Sequence, residues 1–152
     1  YYSSSRKESA EKEYEAEFVE FDELVATSDF ISIHVPLTEK TKHMFSTQEF
    51  KKMKPTAILI NTARGPVVDE GALVEAIKDR RIRGAALDVL EEEPIIHPEL
   101  INLKENVVLT PHIGSASIET RLRMAKMAAR NMMEGLKGNR PPNLVNEDVS
   151  LF

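Results

Sequence analysis

Apolar residues fall along this chain in short unbroken runs, separated by polar segments in which apolar positions recur at helical spacing. Phe30-Ile31-Ser32-Ile33-His34-Val35, β-branched and closed by Pro36, predicts a buried strand. Ala57 to Asn61 and Gly84 to Val89 predict two more, and Val107-Val108-Leu109 a fourth. Between them, Thr47 to Lys52 predicts one or two helical turns. Leu73, Val74, Ala76 and Ile77 stand at helical spacing behind Asp69, a candidate N-cap. Ser117 to about Lys137 predicts a long helix that Gly138 is placed to end. Its Met124, Met127, Met132 and Met133 predict adaptable packing in a core or at a subunit contact. Near the start, Tyr1-Tyr2 reads as the end of a strand, Glu8 to Glu15 favours helix, and Phe18 to Phe21 alternates like a short strand. Asp22 can cap a short helix through Ala26, and Glu91-Glu92-Glu93-Pro94 opens a loop reaching to about Leu103.

Strands that are continuous apolar runs predict a parallel sheet covered on both faces. Ligands of such sheets bind beyond the carboxyl ends of the strands, so the residues just after each strand carry the functional information. Composition narrows the field further. The 152 residues are 41% hydrophobic and 30% charged, which suits a globular domain, and the formal charge of -5 argues against a nucleic-acid surface. There is no cysteine, which removes disulfides and thiolate metal sites; no metal is predicted. No apolar run approaches the roughly 20 residues a membrane span needs, and no signal peptide opens the chain, so a cytoplasmic protein is expected.

Three strand ends carry candidate chemistry. After the second strand, Arg64 precedes Gly65-Pro66 and presents a planar fork of donors suited to a carboxylate. After the third, Asp88 ends an apolar run and needs a donor partner or a cofactor amide, with Glu93 following. After the fourth, His112 in Thr110-Pro111-His112-Ile113-Gly114 is the best general acid/base candidate, because histidine titrates near neutrality. His34 reads as a loop wall, whereas His43 and His97 fall in polar loops and are expected to be solvated. An Arg, a Glu and a His after three successive parallel strands can converge on one crevice.

In that order, Ile60-Asn61-Thr62-Ala63-Arg64-Gly65, Gly84-Ala85-Ala86-Leu87-Asp88-Val89 with Glu93-Pro94, and Thr110-Pro111-His112-Ile113-Gly114 closely resemble the D-isomer-specific 2-hydroxyacid dehydrogenase family. The likeness runs to about Val149, and Arg140 to Asn146 resembles its glyoxylate/hydroxypyruvate reductase branch. The resemblance implies a Rossmann-type, doubly wound parallel α/β sheet, here incomplete. The first strand and the glycine-rich loop are expected upstream of Tyr1, and none of the six glycines forms that motif. It implies a nucleotide-binding and catalytic domain over 1–137, and a tail over 138–152 returning toward a substrate domain. Arg64 would bind the substrate carboxylate and carbonyl, His112 would protonate the keto oxygen, and Glu93 would fix the imidazole tautomer. Val35, Pro36, Thr62, Ala63, Arg64, Asp88, His112 and Gly114 would line the nicotinamide cofactor.

Ser3, Ser4, Ser5 and Arg6 would surround the adenosine ribose. With no acid before Glu8, NADP(H) is expected to be preferred and NAD(H) accepted, Arg6 meeting the 2′-phosphate. The implied reaction is hydride transfer between NAD(P)H and a small 2-ketoacid, glyoxylate or hydroxypyruvate, in a homodimeric full-length protein. A phosphoglycerate or phosphite dehydrogenase uses a similar set of residues. A non-catalytic, dinucleotide-binding regulatory module of the same fold is the reading from another class. The 152 residues by themselves are expected to bind cofactor poorly and to be inactive.

Overall fold

The computed structural model describes residues 1–146, and the last part of the expected 138–152 tail lies outside them. Strands β1 (Phe30–Ile33), β2 (Ile58–Asn61), β3 (Gly84–Leu87) and β4 (Val107–Leu109) form one sheet in the order β1-β2-β3-β4. Every neighbouring pair is parallel, so all four strands deliver their carboxyl ends to the same edge. Helices α1 (Glu8–Tyr14), α2 (Phe21–Thr27), α3 (Thr47–Lys52), α4 (Glu70–Lys78), α5 (Pro98–Asn102) and α6 (Ile118–Leu136), with a 3-10 helix at Gly65–Val67, complete the described elements. The parallel α/β architecture matches the sequence expectation, with β1, β2 and β3 slightly shorter than their apolar runs and β4 coincident with its own.

One core joins one face of the sheet to four helices. Ile31, Ile33, Leu59, Leu87 and Val107 from the strands are buried with Val25, Phe50, Leu73, Ile77 and Leu100 from α2, α3, α4 and α5. The other face is not covered as expected. Phe30 and Val108 remain 68% and 63% exposed, and Ser32 is exposed between its buried neighbours. Helices α2 to α5 bring their buried residues to a single side, so strand residues such as Ile31 and Phe30 split into a buried and an open set.

Several local expectations are corrected. Tyr1-Tyr2 and Phe18 to Phe21 are not strands. Their aromatic side chains pack on one another instead, with Phe18 5.6 Å from Tyr1 and 6.4 Å from Tyr2 between ring centroids. Glu20 rather than Asp22 is the N-cap of α2; Asp22 sits in the first turn and pairs with Lys52 at 2.8 Å. The acidic loop contains α5, started by Pro98 at its first turn and by the His97 ring, which accepts the Glu99 N–H at 3.3 Å. His97 is therefore a cap and not a solvated loop residue. Asp69 caps α4 as expected, accepting the Ala72 N–H at 2.9 Å.

The chain divides into two compact units, Tyr1–His112 and Ile113–Phe152. In the second, Ser117 caps α6 through the Thr120 N–H, and Gly138 with φ +75° follows its end. None of its described residues is buried: Met124, Met127, Met132 and Met133 are 46–63% exposed, so they are not core residues of the described chain.

The closest backbone approach in the first unit lies between the loops after β2 and β3. A β-carbon at Gly65 would stand 1.7 Å from the Leu90 carbonyl oxygen and 2.6 Å from the Glu91 nitrogen. Backbone atoms cannot yield as a flexible side chain does. Gly65→Ala is expected to cost about 3 kcal/mol of stability, the upper part of the range for overpacking, read by equilibrium denaturation.

Candidate active site at the carboxyl edge of the sheet

The ends of β2 and β3 are each shaped by one buried polar side chain. At the end of β2, Asn61 is fully buried and turns back on its own loop. Its carbonyl oxygen accepts the Ala63 N–H and its amide donates to the Arg64 carbonyl, both at 3.0 Å. This local ring replaces the ladder bonds that end with the strand and fixes the backbone of Thr62, Ala63 and Arg64. The Arg64 side chain is exposed, and its guanidinium donates to the Ala63 carbonyl at 2.6 Å. Thr62, Ala63 and Arg64, together with His34, Val35 and Pro36 beyond β1, line an open, mainly polar cleft of about 550 Å³. The His34 ring lies 2.8 Å from the Ser32 hydroxyl.

Beyond β3, Asp88 is buried, and its N–H continues the sheet by bonding the Asn61 carbonyl at 2.9 Å. The donor that its carboxylate requires is the Thr110 hydroxyl at 2.5 Å, which ties the end of β3 to the end of β4. The Asp88 carbonyl in turn accepts the His112 N–H at 2.9 Å. His112 holds a left-handed backbone with φ +55°, a conformation that costs a non-glycine residue energy and recurs at functional sites. That turn aims the ring at the loop after β3. His112 Nδ1 lies 2.9 Å from Glu93 Oε2, while Glu93 Oε1 accepts the Leu90 N–H at 3.1 Å. The His112 hydrogen bond is the main reason that the Glu93 carboxyl sits below its ordinary value, with the Leu90 N–H adding to it and desolvation opposing.

Asp88, Leu90, Glu93, Ile96, Thr110 and His112 line one mainly apolar cavity of about 300 Å³. Thus the structure brings Glu93 and His112 into contact and sets Asp88 beside them. Arg64 lines the other cleft, at the end of the adjacent strand β2. Gly114 belongs to the second unit. Ser3, Ser4, Ser5 and Arg6 line neither cavity; Ser3 bonds the Ser5 carbonyl, and the Arg6 fork is closed on Glu11 by three contacts of 2.8–3.1 Å. That hydrogen bonding raises the Arg6 value and lowers that of Glu11. His43 is not solvated as expected: its Nε2 lies 2.5 Å from Glu91 Oε1. Sequence reasoning did not assign the roles of Asn61, Thr110, His43, Glu70 and Glu91.

Comparison with known proteins agrees with this arrangement. Residues 1–114 match the D-isomer specific 2-hydroxyacid dehydrogenase, NAD binding domain. A glyoxylate reductase of Thermococcus litoralis is 58% identical over 149 residues, covering 98% of this chain and 45% of that protein. Among solved structures, the holo form of Rhodotorula graminis D-mandelate dehydrogenase superposes with a TM-score of 0.89 at 36% identity, covering 97% of this chain and 43% of that one. D-lactate dehydrogenase with NAD+ from Lactobacillus jensenii gives 0.85 at 29% identity, covering 96% and 47%. The chain spans less than half the length of each of these relatives. Matched across its sheet and all three of its strand-end clusters, the chain belongs to the D-isomer-specific 2-hydroxyacid dehydrogenase family.

Proposed function

We propose that this chain is the cofactor-binding and catalytic part of an NAD(P)-dependent reductase of small 2-ketoacids, with glyoxylate or hydroxypyruvate as substrate. The observation that carries the reading is the 2.9 Å pair of His112 and Glu93 at a cavity beyond the carboxyl ends of β3 and β4. The residues present suit a nicotinamide dinucleotide. An open cleft and a mainly apolar cavity lie along one edge of a parallel sheet, where such ligands bind, and a buried carboxylate, Asp88, lines the cavity. Thr62, Ala63, Val35 and Pro36 would hold the cofactor, and Asp88 would meet its carboxamide. When bound, the nicotinamide supplies the hydride that adds to the keto carbon.

The protein's part is to hold the substrate and deliver a proton. Arg64 offers its fork to the carboxylate and polarises the adjacent carbonyl. Glu93 anchors Nδ1 of His112, which leaves Nε2 as the nitrogen that gives its proton to the keto oxygen during reduction and takes it back during oxidation. The imidazole and the carboxylate together keep the transferred proton within a fixed geometry rather than in bulk water.

Glyoxylate and hydroxypyruvate turnover by the full-length protein tests the reading. His112→Asn is expected to lower kcat/KM by about 10²- to 10⁴-fold, the usual contribution of general acid/base catalysis. Glu93→Gln should lower it less, and Arg64→Lys should mainly raise KM for the ketoacid. Absence of turnover with any 2-ketoacid, alongside dinucleotide-dependent partner binding, would favour the regulatory reading instead.

The pair also carries a pH signature. Because the folded-state value of the Glu93 carboxyl is lowered, its stabilising share is complete above the ordinary value of 4.5 and is lost as pH falls through the lower folded value. The stability difference between wild type and Glu93→Gln should therefore narrow in acid below about 4.5, as followed by denaturation at stepped pH.

Cofactor choice turns on Arg6. NADP(H) is the proposed preference, with Arg6 meeting the 2′-phosphate and NAD(H) accepted because Glu11 already occupies the same fork. Arg6→Ala should lower kcat/KM for NADPH about tenfold or more, the scale of one charge-assisted hydrogen bond, and leave NADH nearly unchanged. Glu11→Gln should raise the NADPH-to-NADH ratio. A strong NADH preference in wild type would overturn this assignment.

A further inference from the structure

The loop carrying Glu93 is held from behind by a second group of ionisable residues. Glu70, at the first turn of α4, is buried and accepts the Glu91 N–H at 2.7 Å. Glu91 returns the bond: its Oε2 accepts the Glu70 N–H at 3.2 Å, and its Oε1 takes His43 at 2.5 Å. Two carboxyl groups thus share one corner, each accepting the other's backbone N–H, with Glu91 also paired to His43. Burial is the main cause that raises the Glu70 carboxyl above its ordinary value; the Glu91 N–H and His97 oppose this, while the charges of Glu91 and Glu92 add to it.

His43 is itself fixed. Its backbone is left-handed, with φ +51°, and its N–H bonds the Pro66 carbonyl at 2.8 Å. Phe45 continues the contact, donating to the Val67 carbonyl at 3.1 Å and accepting the Asp69 N–H at 3.0 Å. The same stretch begins at Gly65, whose backbone lies against Leu90. The loop from Leu90 to Glu93 is therefore gripped at Glu91 by two elements, two residues before Glu93 reaches His112. Two histidines in the same unusual backbone conformation each face a glutamate of this loop, one from either side.

We propose that His43, Glu70 and Glu91 are positioning residues, which register the Leu90–Glu93 loop and thereby hold Glu93 against His112. The proposal rests on the dehydrogenase reading above, because it is the Glu93–His112 contact that gives the register a function. A carboxylate displaced by about an ångström no longer accepts a short bond from Nδ1, and misplacement on that scale can cost up to about a hundredfold in rate. The groups charged or titratable around the contact are Asp88 and Glu93 beside His112, and Glu92 and His97 beside Glu70.

The test uses the full-length protein, with Glu91→Ala, Glu91→Gln and His43→Asn measured beside Glu93→Gln. Steady-state kinetics across pH are read together with the ¹⁵N imidazole signals of His112, which report whether its Nδ1–H is held. Glu91→Ala is expected to lower kcat about tenfold with KM for the ketoacid little changed, and to convert the His112 signals toward those of Glu93→Gln. Glu91→Gln, which keeps an acceptor for the Glu70 N–H, should recover most of the loss, and His43→Asn should give a smaller loss of the same kind. If Glu91→Ala does not fold, His43→Asn decides. Glu91→Ala or His43→Asn variants that are merely less stable, with unchanged kcat and His112 signals while Glu93→Gln alters both, would overturn the inference alone. If Glu93→Gln also changes neither, the dehydrogenase reading fails and takes this proposal with it.

Discussion

Parallel pairing is the constraint on which the rest of this molecule depends. Four short strands joined in one direction must bring every carboxyl end to one edge, where the ladder stops and backbone groups need new partners. Here those partners come from particular residues, some as side chains and some as backbone groups. Asn61 closes its own loop, Thr110 satisfies Asp88, and the His112 N–H takes the Asp88 carbonyl. The groups that finish the sheet are thus neighbours of the groups proposed to do the chemistry. Positioning the site and terminating the fold are one task.

The loops beyond the strands are held at close quarters by different means on their two sides. On the β2 side it is the absence of a side chain: Gly65 lets one loop rest on the Leu90 carbonyl. On the α4 side it is polar exchange, with Glu70 and Glu91 each bonding the other's N–H. Burying the Glu70 carboxyl would be costly in isolation, and its hydrogen bond from the Glu91 N–H offsets part of that cost. The exposed Arg6–Glu11 pair has no such surroundings, and its interest lies in occupancy of a donor fork rather than in stability.

Much of this was legible in the sequence because strand runs and their closing residues are local. Ile31-Ser32-Ile33, Leu59 and Leu87 marked the strands, Asp69 marked the start of α4, and His112 and Glu93 were placed by motif. Other features needed three dimensions. Phe18 to Phe21 alternates as a strand does, yet its rings are claimed by Tyr1 and Tyr2. The open face around Phe30 and Val108 was hidden because an apolar run does not say whether one side or both will be covered. Pro98 directly after His97 was a helix-start signal available in the sequence, whereas nothing local links His43 to a glutamate 48 positions away.

The left-handed backbone at residues 43 and 112 bears on how these side chains can be deleted. Histidine already carries a β-carbon in this region, so alanine keeps that cost, on the order of 1–2 kcal/mol, while it deletes the imidazole. Glycine relieves that cost as it deletes the ring and so mixes the two effects, whereas asparagine keeps the β-carbon and accepts the same dihedral angles, which makes it the substitution that isolates the ring's contribution. Drift at these two sites should accordingly run toward small turn-formers wherever the imidazole is no longer required.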